Sequence, residues 1–219
     1  MTQDITPEIQ DQLNLSALIL KKNHKQANLS SWSGFNLEDK MHVKQAERLL
    51  TILGLKSGLH LRNSLQRYES GLMVSQAFEK LAAEFRTDTT KTFEAKYQAL
   101  NNPQTQNTYK MVWKYRFSLK NQKLIGYEIA MYIFQMRLGL VLGFITTEEI
   151  ILRLEEVNAT VKSTFSSWGE FHRNVCIGDE YVLGVTEQDV STFPNMTTLW
   201  DHYQRLHIEH ADWFKNWNK

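Results

Sequence analysis

From Gly126 to Ile145 the chain reads GYEIAMYIFQMRLGLVLGFI, and its strongly polar side chains are Glu128, Gln135 and Arg137. A run of this length is about long enough to cross a bilayer. Charges at membrane depth are costly, however, and Gly139 and Gly143 interrupt the second half of the run. A helix apolar on all sides is otherwise the central helix of a sizeable soluble core. The expectation is therefore an all-α fold, a single multi-helix globular domain around a central apolar helix at about 124–143, with no membrane partner.

The three polar residues constrain that helix further. Glu128 and Gln135 are seven apart and share a face, whereas Arg137 is nine from Glu128 and points the opposite way. They cannot satisfy one another on one helix face, so each needs partners from another element if buried. Two readings follow. In the functional one, Glu128, Gln135 and Arg137 line a polar pocket at the bundle centre, as an enzyme or effector toxin would require. In the structural one, each ends at the surface or pairs with another helix to fix its register. The structural reading is preferred.

The flanks carry helix punctuation. Gly143 suits a left-handed helix end. Thr146 with Glu149 forms a capping-box pattern, and Ser167 with Glu170 a second. Upstream, Thr6 and Pro7 start a helix expected to run to about Lys25. Asn36 is expected to cap the next helix, and Gly54 to end it. Ser57 opens a short helix carrying Leu61 and Leu65, stopped by Gly71; further helices are expected through Phe78 and Phe85, and from Thr90 to Leu100. Asn101, Asn102 and Pro103 mark a break. The segment 109–119 alternates aromatic and basic residues like a strand; helix is preferred because no second strand is evident to pair with it. After Gly184 an irregular connection leads to a last helix at about 197–217. The organisation expected is an N-terminal helical portion, 1–101, and a C-terminal helical core, 102–219, within one compact domain.

Composition excludes some functions. The 219 residues carry a net charge of +1, so no global field favours nucleic acid. A single cysteine, Cys176, rules out an intrachain disulfide. The first residues, MTQDITPEIQDQ, lack the basic start and apolar core of a signal peptide, and a cytoplasmic location is expected. Lys110, Lys114, Arg116 and Lys120 interleave with aromatics and could contact a strand of nucleic acid; a solvated basic helix face is the preferred reading. His202, His207, Glu209, His210 and Asp212 do not match a metalloprotease or a binuclear carboxylate pattern, so no metal is expected. His172 and Cys176 are four apart, yet a lone helical cysteine is usually a small core residue. No phosphate loop, nucleophile elbow or dinucleotide fingerprint is present, and neither catalytic residues nor cofactors are assigned.

The central segment also carries a recurrent pattern: Tyr127 with Glu128, Arg137 nine residues on, Gly143 with Phe144, then Glu148 and Glu149. Phe165, Ser167 and Trp168 follow, then Gly178 with Tyr181. In residues and spacing this stretch, roughly 123–184, resembles the bacterial family called domain of unknown function 1266, and the segment from Trp32 to Leu53 resembles its N-terminal part more weakly. The family often has an arginine three residues after its acid, where this chain has Met131. The resemblance implies a helical bacterial domain in which Tyr127, Gly143, Phe165, Trp168 and Gly178 are structural, and it brings no established activity. With no catalytic constellation and several large aromatics, the function expected is protein binding by a non-enzymatic module such as an immunity or antitoxin-type protein, with Trp32, Trp113, Trp200, Trp213 and Trp217 as candidate interface anchors.

Overall fold

The computed structural model describes residues 4–119, 121–184, 198–212 and 217, and all regular secondary structure among them is helical. The helices are α1 (Pro7–Asn14), α2 (Ala17–Asn23), α3 (Lys40–Ile52), α4 (Gly58–Ser70), α5 (Met73–Arg86), α6 (Thr90–Gln98), α7 (Pro103–Tyr115), α8 (Ile125–Val141), α9 (Thr147–Thr164), α10 (Trp168–Leu183) and α11 (Leu199–Glu209). The fold is all-α, as the periodicity predicts. The chain divides into two compact units, one from residues 4–71 and 129–164, the other from 72–128 and 165–218. Helix α8 contributes residues to both.

In the first unit the predicted N-terminal helix is two helices. Thr6 caps α1 as expected, accepting from the Ile9 N–H at 3.3 Å with Pro7 at the first position. The chain then breaks at Leu15 and Ser16. The Ser16 hydroxyl donates back to the Leu13 carbonyl at 2.8 Å, so a carbonyl freed by the break keeps a donor. Asn36 does not cap α3. Its side chain closes an Asx turn onto Glu38 N–H at 3.1 Å, and Asp39 is the cap, accepting from Met41 N–H at 2.8 Å. Helix α3 ends at Gly54, φ +75°, where Leu55 N–H reaches Leu50 O and Gly54 N–H reaches Thr51 O, a Schellman pair. Helix α8 ends the same way: Phe144 N–H bonds Gly139 O and Gly143 N–H bonds Leu140 O, with Gly143 at φ +67°. The Thr146–Glu149 box then opens α9 with both reciprocal bonds in place.

Next to the 27–35 loop, His24 is buried, stacked on Phe35 with ring centroids 4.5 Å apart and met edge-on by His42 at 4.4 Å. Burial pushes the His24 imidazole below its ordinary 6.5, and His42 and Lys21 push the same way; the Gln45 side chain and Asp39 oppose. The unfolded chain therefore holds a proton where folded His24 does not. Stability falls as pH drops below about 6.5 and levels off once the folded group is also protonated. In urea titrations at about pH 7.5 and about pH 5.5, the midpoint should drop less for His24→Gln than for the parent chain. Equal drops would remove His24 as a source of acid sensitivity.

In the second unit, α7 starts at the predicted break. Asn102 caps it, accepting from Thr105 N–H at 3.0 Å, and Pro103 occupies the first position, where a missing N–H costs nothing. The segment 109–119 is thus helical to Tyr115. Its apolar residues pack on one cluster: Trp113 stacks on Phe93 at 4.3 Å, and Met111, Val112 and Tyr115 join Phe93, Phe78, Ala82 and Phe85 in the core. Arg86 ties α5 to the end of α7, pairing with Glu79 at 2.7 Å and donating to Arg116 O at 2.8 Å. Ser167 caps α10, but Glu170 reaches past it to the Ser166 N–H at 2.6 Å, so the second predicted box is shifted by one residue. Helix α11 carries a capping box of its own, Thr198 with Asp201, which the sequence reading overlooks. The expected irregular connection at 185–197 lies outside the described residues.

Candidate functional site

Glu128 is buried in the first turn of α8. Its Oε1 accepts from the Val74 N–H at 2.9 Å and its Oε2 from the Ser75 N–H at 3.0 Å. These are two of the orphan donors at the start of α5, whose own N-cap, Leu72, has no oxygen in its side chain. Glu128 thus caps another helix from 54 positions away in sequence. The positive ends of two helices, α5 and its own α8, offset the burial of a carboxylate that has no cation partner among the described residues.

The start of α8 is capped in return. Leu124 N–H donates to Ser75 Oγ at 3.2 Å, and Gly126 N–H donates to Asn174 Oδ1 at 2.9 Å. Asn174 Nδ2 donates to Lys123 O at 2.8 Å, holding Lys123 at φ +48°. Asn174 belongs to α10, and one turn further along Gly178 lies against Tyr127 of α8. A Cβ at Gly178 would run into the Tyr127 Cβ and ring, and one at Gly126 would lie 2.9 Å from Asn174 Oδ1. The glycines let the two backbones approach closely. Gly178→Ala is expected to destabilise by about 3 kcal/mol, because the obstacle is the root of a side chain with no free end to swing away. Urea melts of Gly178→Ala, Tyr127→Ala and the double variant would check this, the double being more stable than the sum of the singles.

Gln135 is buried with both heteroatoms engaged, accepting from Ser64 Oγ at 2.9 Å and donating to Tyr68 Oη at 3.2 Å. Nearby, the Tyr132 hydroxyl donates to Glu69 at 2.6 Å, and Arg153 pairs with the same carboxylate. Burial, then the Glu69 bond, hold the Tyr132 phenol well above its ordinary range.

Arg137 is fully buried. One amino nitrogen donates to Leu13 O at 3.1 Å and Ser16 Oγ at 3.4 Å, at the break after α1; the other donates to Ser31 O at 2.8 Å and Leu29 O at 3.5 Å. Its Nε has no hydrogen-bond partner among the described residues. Burial pushes the guanidinium down to about 9. The negative end of α1 and the loop carbonyls supply partial charge in place of a carboxylate. Gly34, φ +81°, passes over this group, and a Cβ there would lie 3.3 Å from the guanidinium and against Leu20. The Arg137 fork thus ties the α1 end to the 29–31 loop.

The three polar residues of the central run therefore serve three separate sets of partners. Glu128 caps α5, Gln135 bonds α4, and Arg137 bonds α1 and the loop after α2. Among the family-pattern residues, Phe165 and Trp168 are buried, and Trp168 meets Trp217 edge-on at 5.0 Å. Trp32 is buried, Trp113 is packed on Phe93, and Trp200 donates its indole N–H to Glu180 at 2.9 Å. Trp213 lies outside the described residues, as does Lys120. Lys110 sits over the Tyr97 ring at 5.2 Å and Arg116 over Trp113 at 3.3 Å, so these cations face the chain's own aromatics. Cys176 and His172 are both buried. Among the described residues no three His, Cys, Asp or Glu side chains are placed to share a metal ion, and no helix is long and apolar enough to cross a membrane.

Sequence reasoning missed Asn174, Ser75 and Glu69. Asn174 was the most legible, being a polar residue one turn before Gly178 on an apolar helix face. Ser75 and Glu69 look like ordinary surface residues until their partners are known.

Comparison with curated proteins and with solved structures returned no match. Comparison with family descriptions matched residues 36–218 to Protein of unknown function (DUF1266). That match takes in α3 and the whole Tyr127-to-Tyr181 pattern, so the reciprocal capping of α5 and α8, the glycine-mediated crossing of α8 and α10 and the Schellman turn at Gly143 all lie inside the matched region, and the chain belongs to the DUF1266 family.

Proposed function

We propose that this chain is a non-enzymatic protein-binding protein of the bacterial cytoplasm, of the immunity or antitoxin type. One observation carries the reading. Both carboxylate oxygens of Glu128, both amide heteroatoms of Gln135 and both amino nitrogens of Arg137 are engaged by internal groups. The groups that would have built a reactive pocket are engaged in holding helices together, which supports a function exercised at the surface. Exposed aliphatic side chains there, Met41 and Ile52 on α3 and Leu59 on α4, support this.

The test is purification of the tagged full chain from its native host, with light scattering and mass spectrometry of the product. The expected result is one partner protein in fixed stoichiometry. A product without a partner, together with a host phenotype lost in Glu128→Gln at unchanged stability, would overturn the reading in favour of a reactive site at Glu128.

A further inference from the structure

Helix α3 buries Ala46 and Leu50, with Val43, Leu49 and Leu53 half-buried around them. At about 100° per residue, the opposite face is centred on Met41, Lys44, Arg48 and Ile52. Solvated faces are normally polar, yet Met41 is 71% exposed and Ile52 is 70% exposed. They lie at nearly the same azimuth, about 16 Å apart along the axis. Between them stand Lys44 and Arg48, both exposed, and neither makes an ion pair among the described residues. The helix has one acid, Glu47, about 60° from Lys44 and about 100° from Arg48, and with Lys40 also exposed the face stays net basic. The stripe therefore reads apolar, basic, basic, apolar, with Leu37 exposed just before it.

We propose that this α3 stripe docks an acidic amphipathic helix of a partner protein. The inference rests on the protein-binding reading above. A partner helix with two apolar residues about three turns apart would cover Met41 and Ile52, and carboxylates between them would meet Lys44 and Arg48. Lys44 and Arg48 fall short of the roughly four or more clustered cations that anionic lipid recruits, and no aromatic stands in the stripe for bases to stack on. Charge complementarity thus selects an acidic helical partner.

The test uses the full chain and two synthetic amphipathic helices that share one leucine face, the polar face being glutamate in one and lysine in the other. Vesicles of phosphatidylserine and phosphatidylcholine serve as a third probe. The glutamate helix should bind, and added salt should weaken it. Met41→Asp with Ile52→Asp should weaken binding by about tenfold or more, and Lys44→Glu with Arg48→Glu should do the same while admitting the lysine helix. These positions are exposed, so circular dichroism should be unchanged. Equal binding of both helices, wild-type binding by the variants, or binding of vesicles alone would overturn the proposal. A stoichiometric host partner whose capture survives all four substitutions would leave the protein-binding reading standing and remove this surface. No host partner and no helix binding would remove both.

Discussion

Arg137→Ala is expected to destabilise the chain by about 3–5 kcal/mol, the largest effect of any substitution considered. Two losses add. The side chain is fully buried, so truncation leaves a cavity at the break between α1 and α2. The Ser31 carbonyl also loses the donor that meets it at 2.8 Å. The other acceptors are better protected, since Leu13 O keeps Ser16 and Leu29 O keeps Gln10 Nε2 at 2.7 Å. Arg137→Lys should cost roughly half as much, because one ammonium can serve one end of the fork and not both. Urea unfolding of the three chains checks this. Wild-type stability in Arg137→Ala would mean that the guanidinium is kept for something other than architecture.

Glu128→Ala is expected to cost about 3 kcal/mol, through two helix-start N–H groups left buried without an acceptor. Glu128→Gln should lose roughly half of that, since the amide retains one oxygen but turns an N–H toward the other donor. Ser75→Ala should be milder, at about 1 kcal/mol, since the Leu124 N–H loses one bond and Glu128 keeps both of its own. Hydrogen exchange at Val74 and Ser75 supplies a local readout. Protection there should fall in Glu128→Ala more than in distant helices. Uniform loss across the chain would place Glu128 in general packing and not at the α5 cap.

These outcomes bear on what the residue pattern could reveal. The helical class, the central helix, the Thr6, Ser57, Thr146 and Ser167 caps and the Gly54 and Gly143 ends are local events. A cap is decided within about four residues, and a left-handed turn within one, so the chain shows them directly. Errors arose where a local signal had a nearby competitor. Asn36 and Asp39 are both good caps three residues apart, and the Asx turn at Asn36 hands the helix start to Asp39. The hydrophobic period from Ile9 to Leu20 continues through Ser16, and nothing in those residues announces the donor that stabilises a break there.

Taken alone, the sequence determined that Glu128, Gln135 and Arg137, if buried, must find partners outside their own helix, because burial of unpaired polar groups is costly and their spacing forbids mutual pairing. It also placed the Tyr127-to-Tyr181 pattern, which lies inside the region matched to the family. It could not determine the partners. Glu128 meets backbone N–H groups at 74 and 75, and Arg137 meets backbone carbonyls at 13, 29 and 31. Every residue except proline carries the same backbone donor and acceptor, so no residue type signals such a partner. Only the tertiary packing, which leaves one helix start without its own cap and one helix end open, decides where a buried charge is received.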